Sequence, residues 1–285
     1  MSIRIIAGVV TFNPEYTRLL QNLTELAKQV EKIIIVDNGS SNIEKIVDSL
    51  PNNLKKQLIF IYNEKNMGIA QALSRIMMVA KENNYDWVIT LDQDSIIEPT
   101  LIQRYYDEAV RKENFDVAMF TCLIKDRNFK DEKYEIQNDK IIDVSYCITS
   151  AAFTNVQKYY ETCGYDSKFF IDCVDFDMCY SLREKGYRIS RINFMGLYHE
   201  VGQGENRNFL GKKIVIYHHA PFRIYYLTRN TVWMHRKHRK MFPMLVMIKK
   251  LLALWLRIML YENDRLKKLK SFHNGLKDSM KRGEK

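Results

Sequence analysis

The sequence has no CxxC pair. Its five cysteines, Cys122, Cys147, Cys163, Cys173 and Cys179, are scattered and odd in number. That argues against a zinc knuckle or a redox dithiol and favours a reducing compartment. Internal repeats, low-complexity tracts and Gly/Ser linkers are also missing. The segment Gly8–Pro14 is no Gly-rich, lysine-bearing phosphate loop, which counts against a nucleotidyltransferase. No basic leader precedes the first apolar run and no small-residue cleavage site follows it, so that run reads as a strand and not a signal peptide. The longest apolar stretch, Met241–Tyr261, is not free of charge: Lys249, Lys250 and Arg257 interrupt it. Cations near the middle make spanning a bilayer costly, at roughly 2.5–3.5 kcal/mol each.

At 285 residues the chain is long enough for one large domain, or for one domain with an appendage. The formal charge of +10 is carried by the C-terminal end, where His235–Lys285 hold fifteen Lys/Arg against four Asp/Glu. We therefore divide the chain into residues 1–234 and a basic tail, 235–285, whose charge calls for a partner of its own.

The first half alternates two periods. Ile3–Val10, Ile33–Val36, Leu58–Tyr62 and Trp87–Leu91 are short apolar runs, as expected of strands covered on both faces. Helical patterns fall between them, around Tyr16–Val30 and Gly68–Glu82. Repeated β-α-β units imply an α/β fold with a mostly parallel central sheet flanked by helices. Ligands of such sheets bind beyond the carboxyl ends of the strands. Thr11, Asp37 and the pair Asp92 and Asp94 stand at those ends. The charged region from about Cys122 to Asp143 reads as an inserted surface loop.

Asp92-Gln93-Asp94 follows a buried strand, so its two carboxylates can project toward one hard cation. Mg²⁺ or Mn²⁺ takes oxygen ligands and shares its shell with a diphosphate. A third carboxylate group, Asp172, Asp175 and Asp177, lies at the start of a helix ending near Gly186. The helix dipole stabilises acidic side chains there, and plain capping is the bland alternative.

Several motifs in order carry a resemblance over roughly residues 3–230. They are Val10-Thr11-Phe12-Asn13-Pro14, Ile35-Val36-Asp37-Asn38-Gly39-Ser40, Asn66-Met67-Gly68 and Leu91-Asp92-Gln93-Asp94-Ser95. This set resembles family 2 glycosyltransferases of the GT-A fold, and most of all bacterial rhamnosyltransferases that use dTDP-rhamnose. The resemblance implies that Asp37 binds the base or ribose and that Thr11 and Asn13 line the nucleotide pocket. Asn66 and Gly68 would let backbone approach the nucleotide. Asp92 and Asp94 would hold the Mn²⁺ or Mg²⁺, with His199 as a third ligand. Val174 stands where the family places the first acid of (E/D)-D-x-D-L-x-x-R, which leaves Asp175 as the base. Asp177 would bind the acceptor or position the base, and Asp172 is the substitute. In Arg223–Asn230, Arg229 would hold the diphosphate, and the pair Tyr225-Tyr226 reads as packing.

At about 100° per residue, Lys249, Lys250 and Arg257 share one third of a helical wheel, with Ala253 between them. Such a helix suits the membrane interface, with Arg236, Lys237, Arg239, Lys240, Lys267, Lys268 and Lys270 adding attraction to anionic lipid. Packing on the catalytic domain, or on a second copy in a homodimer, is the alternative, and nucleic acid has no use for the apolar face. The expected enzyme is a cytoplasmic, inverting, metal-dependent sugar transferase at the inner membrane face, using a nucleotide sugar and a lipid-linked glycan acceptor. A non-catalytic, membrane-bound scaffold is the rival.

Overall fold

The computed structural model describes residues 3–126, 140–199, 205–209 and 212–281. Its elements begin with β1 (Ile5–Thr11), α1 (Tyr16–Ala27), β2 (Ile33–Asp37), α2 (Ile43–Ser49), α3 (Asn52–Lys55), β3 (Leu58–Tyr62), α4 (Ile69–Glu82) and β4 (Trp87–Asp92). The middle comprises β5 (Ile96–Ile97), α5 (Leu101–Ala109), β6 (Val117–Asp126), β7 (Ile141–Asp143), β8 (Ala152–Asn155), α6 (Val156–Tyr160), α7 (Val174–Glu184) and β9 (Arg188–His199). A hairpin of β10 (Glu205–Phe209) and β11 (Lys212–Ile216) leads to α8 (Pro221–Lys237), α9 (Met244–Tyr261) and α10 (Arg265–Met280).

The apolar runs form the expected parallel half-sheet. β3, β2, β1 and β4 lie side by side, and the order continues through β8, β6 and β9 to β5. β8 runs antiparallel to both β4 and β6, so the second half of the sheet is mixed. The central strands β1 and β2 are buried almost throughout because helices cover both faces. One core lies beneath α4 and α7, around Leu73, Ile76, Met178 and Leu182. The other lies beneath α1 and α5, around Leu19, Leu23, Tyr105 and Phe153.

Register sets the site. Thr11 pairs with Asp37, and Val10 with Asp92, so all three polar residues reach the same carboxyl edge of the sheet. Glu15 sharpens the turn after β1 by capping α1, accepting from the Thr17 and Arg18 amides at 2.9 Å each.

The region expected to be a surface loop is in part ordered strand. Cys122–Asp126 completes β6 alongside β9, with register shifts on the way, and Ile141–Asp143 forms β7. Residues 127–139 lie outside the described part. At the C-terminal end α8 continues through position 234, and Ile224, Ile258 and Phe272 make a small third core among α8, α9 and α10.

Candidate active site

Asp37 organises its own turn. Its carboxylate is 1% exposed, and one oxygen accepts from Thr11 Oγ1 at 2.9 Å and Ser40 Oγ at 2.5 Å. The other accepts from the Gly39 and Ser40 amides at 3.1 and 2.8 Å. Thr11 is fully buried in this contact. Asn13, at φ 46°, accepts from the Ser41 amide and hydroxyl and stays exposed at the edge. The side chain that joins the two donor loops is Asn38, one residue beyond Asp37. Its amide donates to Asn66 Oδ1 and Gly68 O, and its oxygen accepts from Asn63 Nδ2 and the Met67 amide.

The turn after β4 is fixed from two sides. Asn22 of α1 donates to the carbonyls of Asp92 and Ser95 at 2.9 and 2.5 Å. Gln93 accepts from the Phe12 amide at 2.8 Å and so ties this turn to the exit of β1. Asp92 then faces a cavity of about 760 Å³, while Asp94 stands beside Arg18 at 4.0 Å. Among the described residues no three metal-ligating side chains are gathered, and the His199 side chain lies outside them. Two neighbouring carboxylates nevertheless suit Mg²⁺ or Mn²⁺, which completes its shell with water and substrate phosphate.

The entry to α7 lines the same cavity. Asp172 and Cys173 both adopt left-handed backbone, φ 65° and 66°, a conformation that costs of order 1–3 kcal/mol per residue and persists only when surroundings enforce it. α8 enforces it. Arg223 donates to both Asp172 oxygens at 2.9–3.2 Å, and Asn230 donates to the carbonyls of Ile171 and Asp172 at 2.7 and 3.0 Å. Arg223 and Asn230 are seven apart, two helical turns, and so share one face. On the donor side the Ile69 amide donates to Phe170 O at 2.8 Å, joining α4 to the same loop.

That loop delivers Asp175 to the cavity together with Asp92. Burial raises the Asp175 carboxyl to about 6, opposed by the Phe176 amide and reinforced by the negative charges of Asp172 and Asp92. A carboxyl poised there accepts a proton from a hydroxyl near neutral pH far more readily than an ordinary aspartate does. Asp172 is also raised by burial, but the Arg223 charge pulls it back, so it serves as an anchor.

Three of the expected residues, Asp177, Arg229 and Gly68, do not line this cavity. Asp177 faces away from the cavity: its carboxylate is 1% exposed and is held by Lys237 Nζ and His238 Nε2 at 2.8 Å each. It positions α7 and is closed to an acceptor. Arg229 donates to Lys168 O and lies over the Tyr226 and Trp233 rings, outside the cavity; the α8 arginine that lines it is Arg223. At Gly68 an added Cβ would come within 2.5 Å of Phe170 O, so the backbone is closely packed against that loop. The sequence reading also missed Asn22, Asn38 and Asn230 as braces. For Asn230 the seven-residue spacing from Arg223 was the available signal.

A mixed α/β sheet, paired carboxylates beyond a central strand and a raised carboxyl across one cavity define a nucleotide-sugar-transferase type of site. The chain belongs to glycosyl transferase family 2, whose family model matches residues 7–171. It is 28% identical to the dTDP-rhamnosyl transferase RfbF of Shigella flexneri over 87% of this chain and 85% of that protein. Its fold is similar to that of S. aureus TarS, with TM-score 0.61 and 15% identity, over 97% of this chain and 48% of TarS. It is likewise similar to GalNAc-T7 crystallised with UDP, GalNAc and Mn²⁺, with TM-score 0.56 and 12% identity, over 73% of this chain and 44% of that one. The chain thus spans about half the length of these two structural relatives.

Proposed function

We propose that this glycosyltransferase is an inverting rhamnosyltransferase that moves rhamnose from dTDP-rhamnose to a hydroxyl of a lipid-linked glycan in polysaccharide assembly. The observation that carries the reading is that Asp175 and Asp92 line one cavity at the carboxyl edge of the sheet. The acceptor hydroxyl attacks the anomeric carbon and the new C–O bond forms as the bond to the diphosphate breaks. Asp175 takes the hydroxyl proton and the nucleoside diphosphate leaves with the bonding pair. Asp92 and Asp94 would hold a Mg²⁺ or Mn²⁺, which supplies neutralising charge for the leaving diphosphate when bound. The rhamnosyl specificity is supported by the similarity to RfbF.

The cytoplasmic face of the membrane is the proposed place of action. α9 buries only Ile258 and exposes Leu245, Ile248, Leu252, Leu256 and Leu260 among others. Among the described residues no helix is long and apolar enough to cross a membrane. An exposed apolar helix face flanked by basic residues suits the interface of an anionic bilayer.

Thermal-shift screening of dTDP-, UDP- and GDP-sugars with Mg²⁺ or Mn²⁺ tests the donor. Stabilisation by dTDP-rhamnose above the others is expected; stabilisation by a UDP-sugar alone would assign another specificity. The anomeric configuration of the product, read by proton coupling, tests inversion.

A further inference from the structure

The polar stripe of α9 faces the active-site cavity. Lys250, Ala253, Leu254 and Arg257 line it, and Lys250 Nζ stands 5.2 Å from the centre of the Phe176 ring, next to Asp175. Lys250 and Arg257 are exposed at the rim of the cavity, and the same helix also exposes apolar residues such as Leu252 and Leu256. A sugar hydroxyl and its base make no use of a pair of cations here, which leaves Lys250 and Arg257 open to an anionic part of the substrate.

The cavity also holds the carboxylates Asp92 and Asp175, and two more of its charges have ion-pair partners. Arg223 is bound to Asp172, and Glu262 to Lys268 and His218. Lys250 and Arg257 have no carboxylate within 4.0 Å among the described residues. The Arg257 charge reaches the interior: burial first, then Arg223, and with them Lys268 and Arg257, hold His219 down at about 4 against the opposing Glu262.

Position separates this pair from the donor side. The cavity touches the donor half at Ile69 and Asp92, whereas Thr11, Asp37, Asn38 and Asn66 lie outside it. Lys250 and Arg257 are seven residues apart, about 10 Å along the helix, so their long side chains bracket a group with more than one negative charge. Outward from them run the exposed apolar residues of α9, including Leu252 and Leu256.

We propose that Lys250 and Arg257 form a subsite for a phosphoryl group of the acceptor, one whose phosphate joins the sugar chain to an apolar tail. This rests on the transferase reading above and adds the acceptor's linkage chemistry to it. The helix that meets the membrane thereby also selects what is drawn from it.

The test uses the full chain and two probes with one hydrocarbon skeleton, geranyl diphosphate and geraniol, titrated calorimetrically. The wild type is expected to bind the diphosphate at least about tenfold more tightly. The double variant Lys250→Met/Arg257→Met is expected to lose that preference and to keep its affinity for dTDP with Mg²⁺. Lys249→Met, exposed and outside the cavity lining, is expected to keep both. Equal binding of the two probes by the wild type, or no binding of the diphosphate, overturns the proposal, as does a retained preference in the double variant. Loss of dTDP affinity along with the preference assigns the cations to the donor diphosphate and also overturns it. A double variant that loses only its attachment to phosphatidylglycerol vesicles assigns them to the bilayer, with the same consequence. Failure to turn over dTDP-rhamnose is a separate outcome: it sinks the donor specificity and leaves the diphosphate preference to be read on its own.

Discussion

Asp177 Oδ1 lies 2.8 Å from His238 Nε2, and both side chains are 1% exposed. The second Asp177 oxygen accepts from Lys237 Nζ at 2.8 Å, so one carboxylate joins the first turn of α7 to the end of α8. Asp175 is only two residues away, and its aim depends on that turn. Removing one partner of a buried charge pair leaves the other unmatched, a loss of about 3–5 kcal/mol. Asp177→Ala is therefore expected to lower the unfolding free energy, read from denaturant melts, by that amount. With folding restored at low temperature, KM for acceptor should change less than kcat, because the carboxylate does not touch acceptor. A raised KM at unchanged stability would return Asp177 to the acceptor site.

His238 makes this junction sensitive to pH. Burial opposes its charge, but the contacts with Asp177 and Glu184 outweigh burial and raise it above the ordinary value of 6.5. The folded chain therefore keeps a proton that the unfolded chain has released. The stabilisation is complete below about 6.5 and is lost as pH rises through the raised folded value. Tm measured from pH 6 to 9 is expected to fall more in the wild type than in His238→Gln. Parallel curves for the two proteins would show that His238 is neutral throughout.

The same junction marks the limit of what the sequence discloses. The parallel half of the sheet is legible because strands covered on both faces are continuous apolar runs, as in Ile33–Val36. Asp92 and Asp94 are legible as a pair because they stop such a run. Asp175 and Asp177 are two apart, about 200° around a helix, so one cavity cannot receive both. Which of them faces it is decided by Lys237 and His238, about sixty positions on. The cation stripe of α9 is likewise visible as a stripe, but the direction it faces follows from how α8, α9 and α10 pack. β6 escapes notice because its end, Leu123–Asp126, carries charge and irregular register.

Gly68 provides a second check on how the two halves of the site meet. At φ +84° and ψ 164° its backbone lies where only glycine is comfortable, a cost of order 1–3 kcal/mol for any other residue. An added Cβ would stand 2.5 Å from Phe170 O and 2.9 Å from Phe170 Cα, so the loop carrying Asp172 must also move. Gly68→Ala is expected to lose stability and, at temperatures where it stays folded, most of its activity. Gly186→Ala is the comparison: φ is +89° but nothing lies within 4 Å, so Tm falls while kcat is kept. Equal kcat in the two variants would mean that the Phe170 loop does not position the base.

Asp175 itself sets activity against stability. Its carboxyl, raised from 3.8 to about 6, holds a proton in the folded chain between those values that the unfolded chain has already lost. Stability is therefore expected to fall as pH rises across that window, and the ionised Asp175 burdens the fold at neutral pH. Asp175→Asn removes the charge, so at pH 7 the variant should melt higher than the wild type. Its transfer rate should drop about 10²–10⁴-fold, the usual loss on removing a general base. In the wild type kcat/KM should climb with pH through about 6, since only the ionised carboxylate accepts the acceptor's proton. The two readouts pull in opposite directions for a base and together for a mere structural contact. A variant that melts lower and transfers sugar at the wild-type rate would remove Asp175 from the chemistry and leave Asp172 as the carboxylate to test.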